Sequence, residues 1–321
     1  MQLYYVADVM ATGELVKNEI QVCFDNNEFL IVFPIRSTGS IRLIGIVPKE
    51  HETKKNLSFE DVKSRVIQNV GLTISKVNWF STYHSHHRVA EHFQQNRIFL
   101  LGDAGHIHSP VGGQGMNTGI GDAVNLSWKI ASVLKKQASI ALLDTYEPER
   151  IAFARRLIKT TDTAFQLVTH TGWIGKCVRN GFFPIIFPLL TRFTFFKKIL
   201  FKTVSQIKIN YRHSRLSAGK AGKIQGGDRL PWVHCDEFDN FKPLTSLNWQ
   251  IHIYGKATDA FKKSISSLGI DLHEFSWNVV AAEAGLKENA VYLIRPDGYV
   301  AYANILQKSE GMAIYEQFIY N

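Results

Sequence analysis

Cysteine is scarce in this chain. Its 321 residues hold three, Cys23, Cys177 and Cys235, far apart, with no CxxC pair and no metal-ligand spacing to histidine. That excludes a disulfide framework and a redox dithiol, and a reducing compartment fits best. Long apolar runs are missing as well. The longest uncharged stretch of the most hydrophobic segment, Asn180 to Thr191, is interrupted by Pro184 and Pro188, whereas a spanning helix takes about 20 apolar residues. The opening residues, Met-Gln-Leu-Tyr-Tyr-Val-Ala-Asp, carry neither a basic n-region nor a small-residue cleavage site, so a cytoplasmic protein is expected. No GxGxxG precedes a helix near the start, and with it the usual cradle for a pyrophosphate is not expected.

The chain is 45% hydrophobic, enough for a sizeable core and two or three domains. A formal charge of +9 suits anionic partners, but Lys and Arg are scattered and no nucleic-acid motif occurs. An anionic cofactor, an acidic membrane surface and a simply solvated basic surface all fit this charge.

Residues 97–122 organise the rest. Ile98 to Leu101 has the composition of a short buried strand, and Gly102-Asp103 ends it. Asp103 is therefore expected at the carboxyl end of a strand, where open α/β sheets bind ligands. Gly112, Gly113, Gly115 and Gly119 then lead into a helix whose first turns carry Asn117 and Thr118. Glycine allows close backbone approach, and the unpaired N–H groups of a helix start attract negative charge. The stretch reads as an anion cradle.

The run Gly102-Asp-Ala-Gly-His-Ile-His-Ser-Pro-Val-Gly-Gly-Gln-Gly-Met-Asn-Thr-Gly-Ile-Gly-Asp-Ala-Val-Asn-Leu-Ser-Trp-Lys129 resembles the second flavin-binding signature of the single-component FAD-dependent aromatic hydroxylases, the para-hydroxybenzoate, phenol and polyketide hydroxylase group. The resemblance implies that Asp103 binds the ribityl chain of FAD. Gly113, Gln114, Gly115, Met116 and Asn117 would face the pyrimidine edge of the ring, and Pro110 would line its substrate side. A helix amino terminus at that edge favours the anionic reduced flavin. Arg88 would stand near the flavin entrance. His106 and His108 lie inside the loop and are read as structural or electrostatic rather than as general bases. Catalytic residues stay unassigned, since the cofactor carries the chemistry.

The fold class expected is α/β of the α+β kind: an incomplete FAD-binding domain with an antiparallel substrate-domain sheet, plus a carboxyl-terminal thioredoxin-like domain. Residues 1–90 read as the substrate-domain sheet, with strands at 3–9, 20–24, 28–34 and 41–47 and a hairpin turn at Asp25-Asn26-Asn27. A surface helix is expected over 58–70. His84, His86 and His87 lack a completing carboxylate or cysteine at suitable spacing, so no metal site is assigned. Residues 91–166 carry the second flavin motif and two long helices, 122–136 and 140–165. The stretch Leu143 to Arg150 at their junction is expected only to pack.

Residues 167–216 form a helical connector. Within it, residues 172–201 hold Lys176, Arg179, Arg192, Lys197 and Lys198 but no acid. A buried connector is the main reading, and peripheral contact with an anionic membrane is the other. Residues 217–321 resemble the thioredoxin-like domain appended to phenol and polyketide hydroxylases. By composition 217–227 reads as a linker, followed by strands at 249–254, 290–294 and 299–303, helices at 257–268 and at the end, and an irregular stretch between.

The function implied is a flavin-dependent monooxygenase using NAD(P)H and O₂ on an aromatic or polyketide-like substrate. FAD is the cofactor and NADH or NADPH the co-substrate. The resemblance begins after the family's GxGxxG and later Asp-Gly motif, so a truncated or split chain is expected, one that binds FAD weakly by itself. A separate FAD-domain polypeptide or a homodimer would complete it. The alternative is a non-catalytic remnant or interaction subunit.

Overall fold

Period-two alternation of apolar residues shapes the first compact unit, residues 1–88, 107–113 and 157–199. The computed structural model describes residues 2–14, 16, 19–25, 28–63, 71–107, 114–169, 172–312 and 315. Five strands, β1 (Gln2–Thr12), β2 (Gln21–Asp25), β3 (Glu28–Ile35), β4 (Ser40–Ile46) and β5 (Thr73–Ser85), form an antiparallel sheet in the order β2-β3-β4-β1-β5. All four strands expected before residue 47 are present. Asp25 pairs with Glu28, and the expected turn residues Asn26 and Asn27 lie outside the described residues.

The two faces of this sheet differ. Tyr5, Ala7, Val9, Leu30, Val32 and Leu43 are buried together with Phe59 and Val62 of the following helical turn. That turn is helical over 59–63, with the Ser58 N–H donating to the Asp61 carboxylate at 2.8 Å; residues 64–70 of the expected helix lie outside the described residues. On the opposite face, the register places Phe33, Arg42, Asp8 and Trp79 in one cross-strand row. Arg42 and Asp8 make a bidentate pair at 2.7 and 2.8 Å, flanked by Phe33 and Trp79, which are exposed.

Along the chain, the helices are α1 (Gly115–Leu134), α2 (Tyr146–Thr169), α3 (Trp173–Cys177), α4 (Phe187–Leu190) and α5 (Thr194–Val204), with π-helical turns over Val178–Ile186. The buried reading of residues 172–201 does not hold for α4 and α5, which contain no buried residue. Lys197, Lys198 and Lys202 interrupt the apolar residues of α5, and charged side chains are rarely fully buried without a partner.

The second unit comprises residues 89–106, 114–156 and 200–321. Its sheet has six strands, β6 (Ala218–Ala221), β7 (Ile224–Gln225), β8 (Gln250–Tyr254), β9 (Asp271–Phe275), β10 (Val291–Ile294) and β11 (Val300–Asn304), ordered β7-β6-β11-β10-β8-β9. The β8/β9 pair is parallel, and β10 runs antiparallel to β8 and β11. Helices α6 (Asp259–Ile265) and α7 (Val279–Glu283) connect them.

Two expectations fail here. The linker at 217–227 is the β6–β7 hairpin: Gly219 has φ +75°, and a Cβ there would strike the Ala303 carbonyl oxygen, so this glycine serves close strand packing rather than looseness. The irregular stretch after α6 contains β9 and α7, whose short runs carry too little periodicity to read. The last expected helix lies mostly outside the described residues.

A third correction concerns residues 98–101. Only Ile98–Phe99 is a strand, paired antiparallel with Gln94–Gln95. Asn96 adopts φ +54° in the intervening turn, a conformation asparagine tolerates. A local hairpin thus replaces the expected buried strand, and Ile98 is 67% exposed.

Candidate flavin site

The amino end of α1 emerges directly from the glycine-rich stretch. Gln114 occupies the cap position, and among the described residues no side chain caps the helix. The first-turn N–H groups of an α-helix have no intrahelical partner and carry partial positive charge. Gln114 and Gly115 are half-buried, while Met116 and Asn117 are exposed. The Gln206 amide donates to the Gln114 carbonyl at 3.3 Å and to Thr118 Oγ1 at 3.0 Å, which fixes this first turn.

Asp103 sits in the single 3-10 turn Gly102–Ala104 and is exposed. That turn touches α1: a Cβ on Gly119 would lie 3.2 Å from the Gly102 Cα, and Gly102 itself takes φ +57°. Glycine at both places lets the two backbones meet. Asp122 then ties them together. Its Oδ2 accepts from the Gly102 N–H at 3.0 Å and from His106 Nε2 at 2.7 Å; its Oδ1 accepts from Arg150 Nε at 2.6 Å. Arg150 also donates to the Thr118 carbonyl at 3.1 Å and to the Tyr211 hydroxyl at 3.0 Å. Burial works to raise the Asp122 carboxyl, but His106, Arg150 and the Gly102 amide outweigh it and hold it below the usual carboxylate range.

The turn that carries Asp103 thus packs against α1, the helix whose start is formed by Gln114, Gly115, Met116 and Asn117. Pro110, Gly113 and His108 lie outside the described residues. His106 is buried and bonded to Asp122, in keeping with its reading as a loop-holding residue. Arg88 is exposed.

Deeper along α1 lies a second cluster. Glu149 Oε1 accepts from Arg295 at 2.7 Å and Ser214 at 2.6 Å; Oε2 accepts from Arg295 at 3.0 Å, Lys129 at 2.8 Å and Asn125 at 2.7 Å. Asp297 binds the other edge of the Arg295 guanidinium at 3.0 and 2.6 Å. Arg295 is also packed over Trp128 and Tyr211. Burial pulls Lys129 down to about 8 against the opposing pull of Glu149. Burial would raise Glu149, yet Arg295 and Lys129 hold it far below its ordinary range.

The sequence reading missed this cluster and gave Leu143 to Arg150 a packing role alone. Glu149 and Arg150 in fact centre two buried ionic networks. One signal was available: Asp122, Asn125 and Lys129 stand at i, i+3 and i+7 of a helix with no other charged residue, a polar stripe on one face.

Comparison with known proteins finds a family profile and relatives that this chain resembles. Residues 4–161 fit the family profile described as "FAD binding domain". The relatives of the chain are aromatic and polyketide monooxygenases. It is 26% identical over 333 residues to the 6-methylpretetramide 4-monooxygenase of Streptomyces rimosus, covering 94% of this chain and 58% of that protein. It is 33% identical over 310 residues to an uncharacterized aromatic compound monooxygenase of Bacillus subtilis (strain 168), covering 93% and 58%. Among solved structures, BexE, studied for oxidation during BE-7585A biosynthesis, aligns with a TM-score of 0.74 at 25% identity, over 100% of this chain and 64% of that one. The fold is also that of the anhydrotetracycline hydroxylase OxyS from Streptomyces rimosus, with a TM-score of 0.72 at 22% identity over 100% and 64%. The chain therefore spans about three-fifths of the length of these relatives.

The residues present fit the ring end of FAD. The helix start is uncapped, an exposed carboxylate stands on the turn packed against it, and the glycine pair puts no side chain between the two.

Proposed function

We propose that this chain holds the ribityl and ring portion of FAD and forms part of an NAD(P)H- and O₂-dependent monooxygenase of aromatic or polyketide-like substrates. The observation that carries this reading is the Asp122 clamp, which fixes the Asp103 turn against the uncapped start of α1. Asp103 would accept from the ribityl hydroxyls. Residues 114–117, with Pro110 and Gly113, would face the ring, and the partial positive charge of the helix start favours negative charge gathering there. Bound FAD would supply the redox and oxygen chemistry. The names of the relatives favour this reading over a non-catalytic remnant.

The open face of the five-stranded sheet is proposed to bind an aromatic ligand. Phe33 and Trp79 offer aromatic faces, and the Arg42–Asp8 pair between them offers polar partners for ring substituents. Residues 217–321 are proposed as a thioredoxin-like, architectural module; the order β9-β8-β10-β11, parallel then antiparallel, supports this. The three free thiols suit the cytoplasm. A GxGxxG-bearing segment, in the same chain or a partner, is the proposed holder of the ADP half, with a homodimer as the other assembly.

Flavin titration tests the reading. Asp103→Ala is expected to weaken FAD binding about tenfold, the worth of a hydrogen bond to a charged group, in a preparation that includes a GxGxxG-bearing segment. Unchanged affinity would refute the assignment of Asp103.

A further inference from the structure

We propose that residues 173–199 dock this protein onto an anionic lipid bilayer. The inference is independent of the flavin reading and concerns a different part of the chain.

Apolar side chains here face outward. Trp173 is 75% exposed, Ile185 68%, Phe193 60% and Phe195 76%. Single exposed apolar residues are ordinary, but a concentration of them marks an interaction surface. The segment still has a seam of its own: Phe187 packs against Phe182 and Phe196 at ring separations of 6.3 and 6.0 Å. That contact folds the short helices onto one another, while Trp173, Ile185, Phe193 and Phe195 stay exposed.

The charge identifies the occupant. From Thr163 to Gly227 there is no Asp or Glu, while Lys176, Arg179, Arg192, Lys197 and Lys198 fall within the segment. Arg192, Lys197 and Lys198 are exposed. Protein interfaces deplete lysine at their cores and carry no general excess of one sign. A bilayer leaflet with acidic headgroups above hydrocarbon meets both halves of this composition, and long basic side chains reach the headgroups while their neighbours enter the acyl boundary. Among the described residues no helix is long and apolar enough to cross a membrane. Pro184 and Pro188 fall in the middle of the apolar stretch. The segment lies on the surface.

The test is sedimentation of the full chain with phosphatidylcholine vesicles, pure or containing about one-third phosphatidylserine. The chain is expected to sediment with the phosphatidylserine vesicles at low salt, to be released as salt rises, and to stay in solution with pure phosphatidylcholine. Replacing both Lys197→Gln and Lys198→Gln should lower partitioning about thirtyfold, and Phe195→Ser by a similar factor, each with an unchanged melting transition. Brominated lipid should quench part of the tryptophan emission, and Trp173→Phe should remove that part. Absence of sedimentation, equal binding to both vesicle types, or full binding by both variants overturns the proposal. So does protection of 173–199 from hydrogen exchange by a second protein copy, with no vesicle binding.

Discussion

Two regions of this protein reverse the usual placement of side chains, in opposite directions. Around α1 and the start of α2, Glu149, Lys129, Arg150 and Arg295 are buried; along α4 and α5 the aromatic and aliphatic residues are exposed or half-buried and none is buried. The buried charges are tolerable because each is met by opposite charge and by further hydrogen bonds. The exposed apolar residues instead face water. The lesson is that the first region satisfies its charges within the chain, while the second leaves open the apolar surface proposed above to meet a bilayer.

Breaking the closed region should produce the largest effect. Glu149→Ala leaves Arg295 and Lys129 buried beside each other and is expected to cost about 3–5 kcal/mol in urea denaturation. Replacing all four charged members together, Lys129→Met, Glu149→Leu, Arg295→Met and Asp297→Asn, should cost less than the single change, because no buried charge is then stranded. A single-variant loss under about 1 kcal/mol would mean that water already reaches the cluster.

Acid should expose the same contrast elsewhere in the second unit. Burial, helped by neighbouring His273, pushes His252 down to about 3 from its ordinary 6.5. The unfolded chain therefore takes up this proton near pH 6.5 and the folded chain only near pH 3. Its contribution to stability is complete above 6.5 and drains as pH falls through that window. The urea midpoint should fall accordingly, and His252→Asn should flatten that limb. Asp122 and Glu149, both held below their ordinary ranges, add a further loss at lower pH.

Asp122→Asn sharpens the comparison at the flavin turn. It weakens the links to Arg150, His106 and Gly102 and is expected to cost about 2 kcal/mol, while also lowering flavin affinity through the displaced Asp103 turn. Asp103→Ala, at an exposed position, should change stability by less than about 0.5 kcal/mol. The same small stability change is expected for Lys197→Gln with Lys198→Gln, measured by thermal melting. A large stability loss in either surface variant would erase the distinction between the two regions.

Legibility followed the range of the forces involved. The strands β1 to β4 were readable because each is a short run rich in β-branched and aromatic residues. The helix at Gly115 and the turn at Asp103 were readable because glycine spacing is local. Residues 98–101 misled because their composition suits a central strand, while the Asn96 turn folds them into a hairpin. Residues 217–227 misled because glycine needed for close packing has the same composition as glycine in a linker. Arg295 pairs with a carboxylate 146 residues away, and no local pattern announces such a pair.

By itself the sequence determined the antiparallel sheet, the glycine-led helix start with its preceding carboxylate, and the basic, acid-free composition of 173–199. These depend on neighbours along the chain, where backbone geometry and spacing act directly. Only the tertiary structure decided that Asp122 would clamp Gly102 to α1, that Glu149 would meet Arg295, and that the apolar helices would stay uncovered. Those outcomes rest on burial and on charge pairing between distant residues, whose energies exist only once folding has removed the water between them.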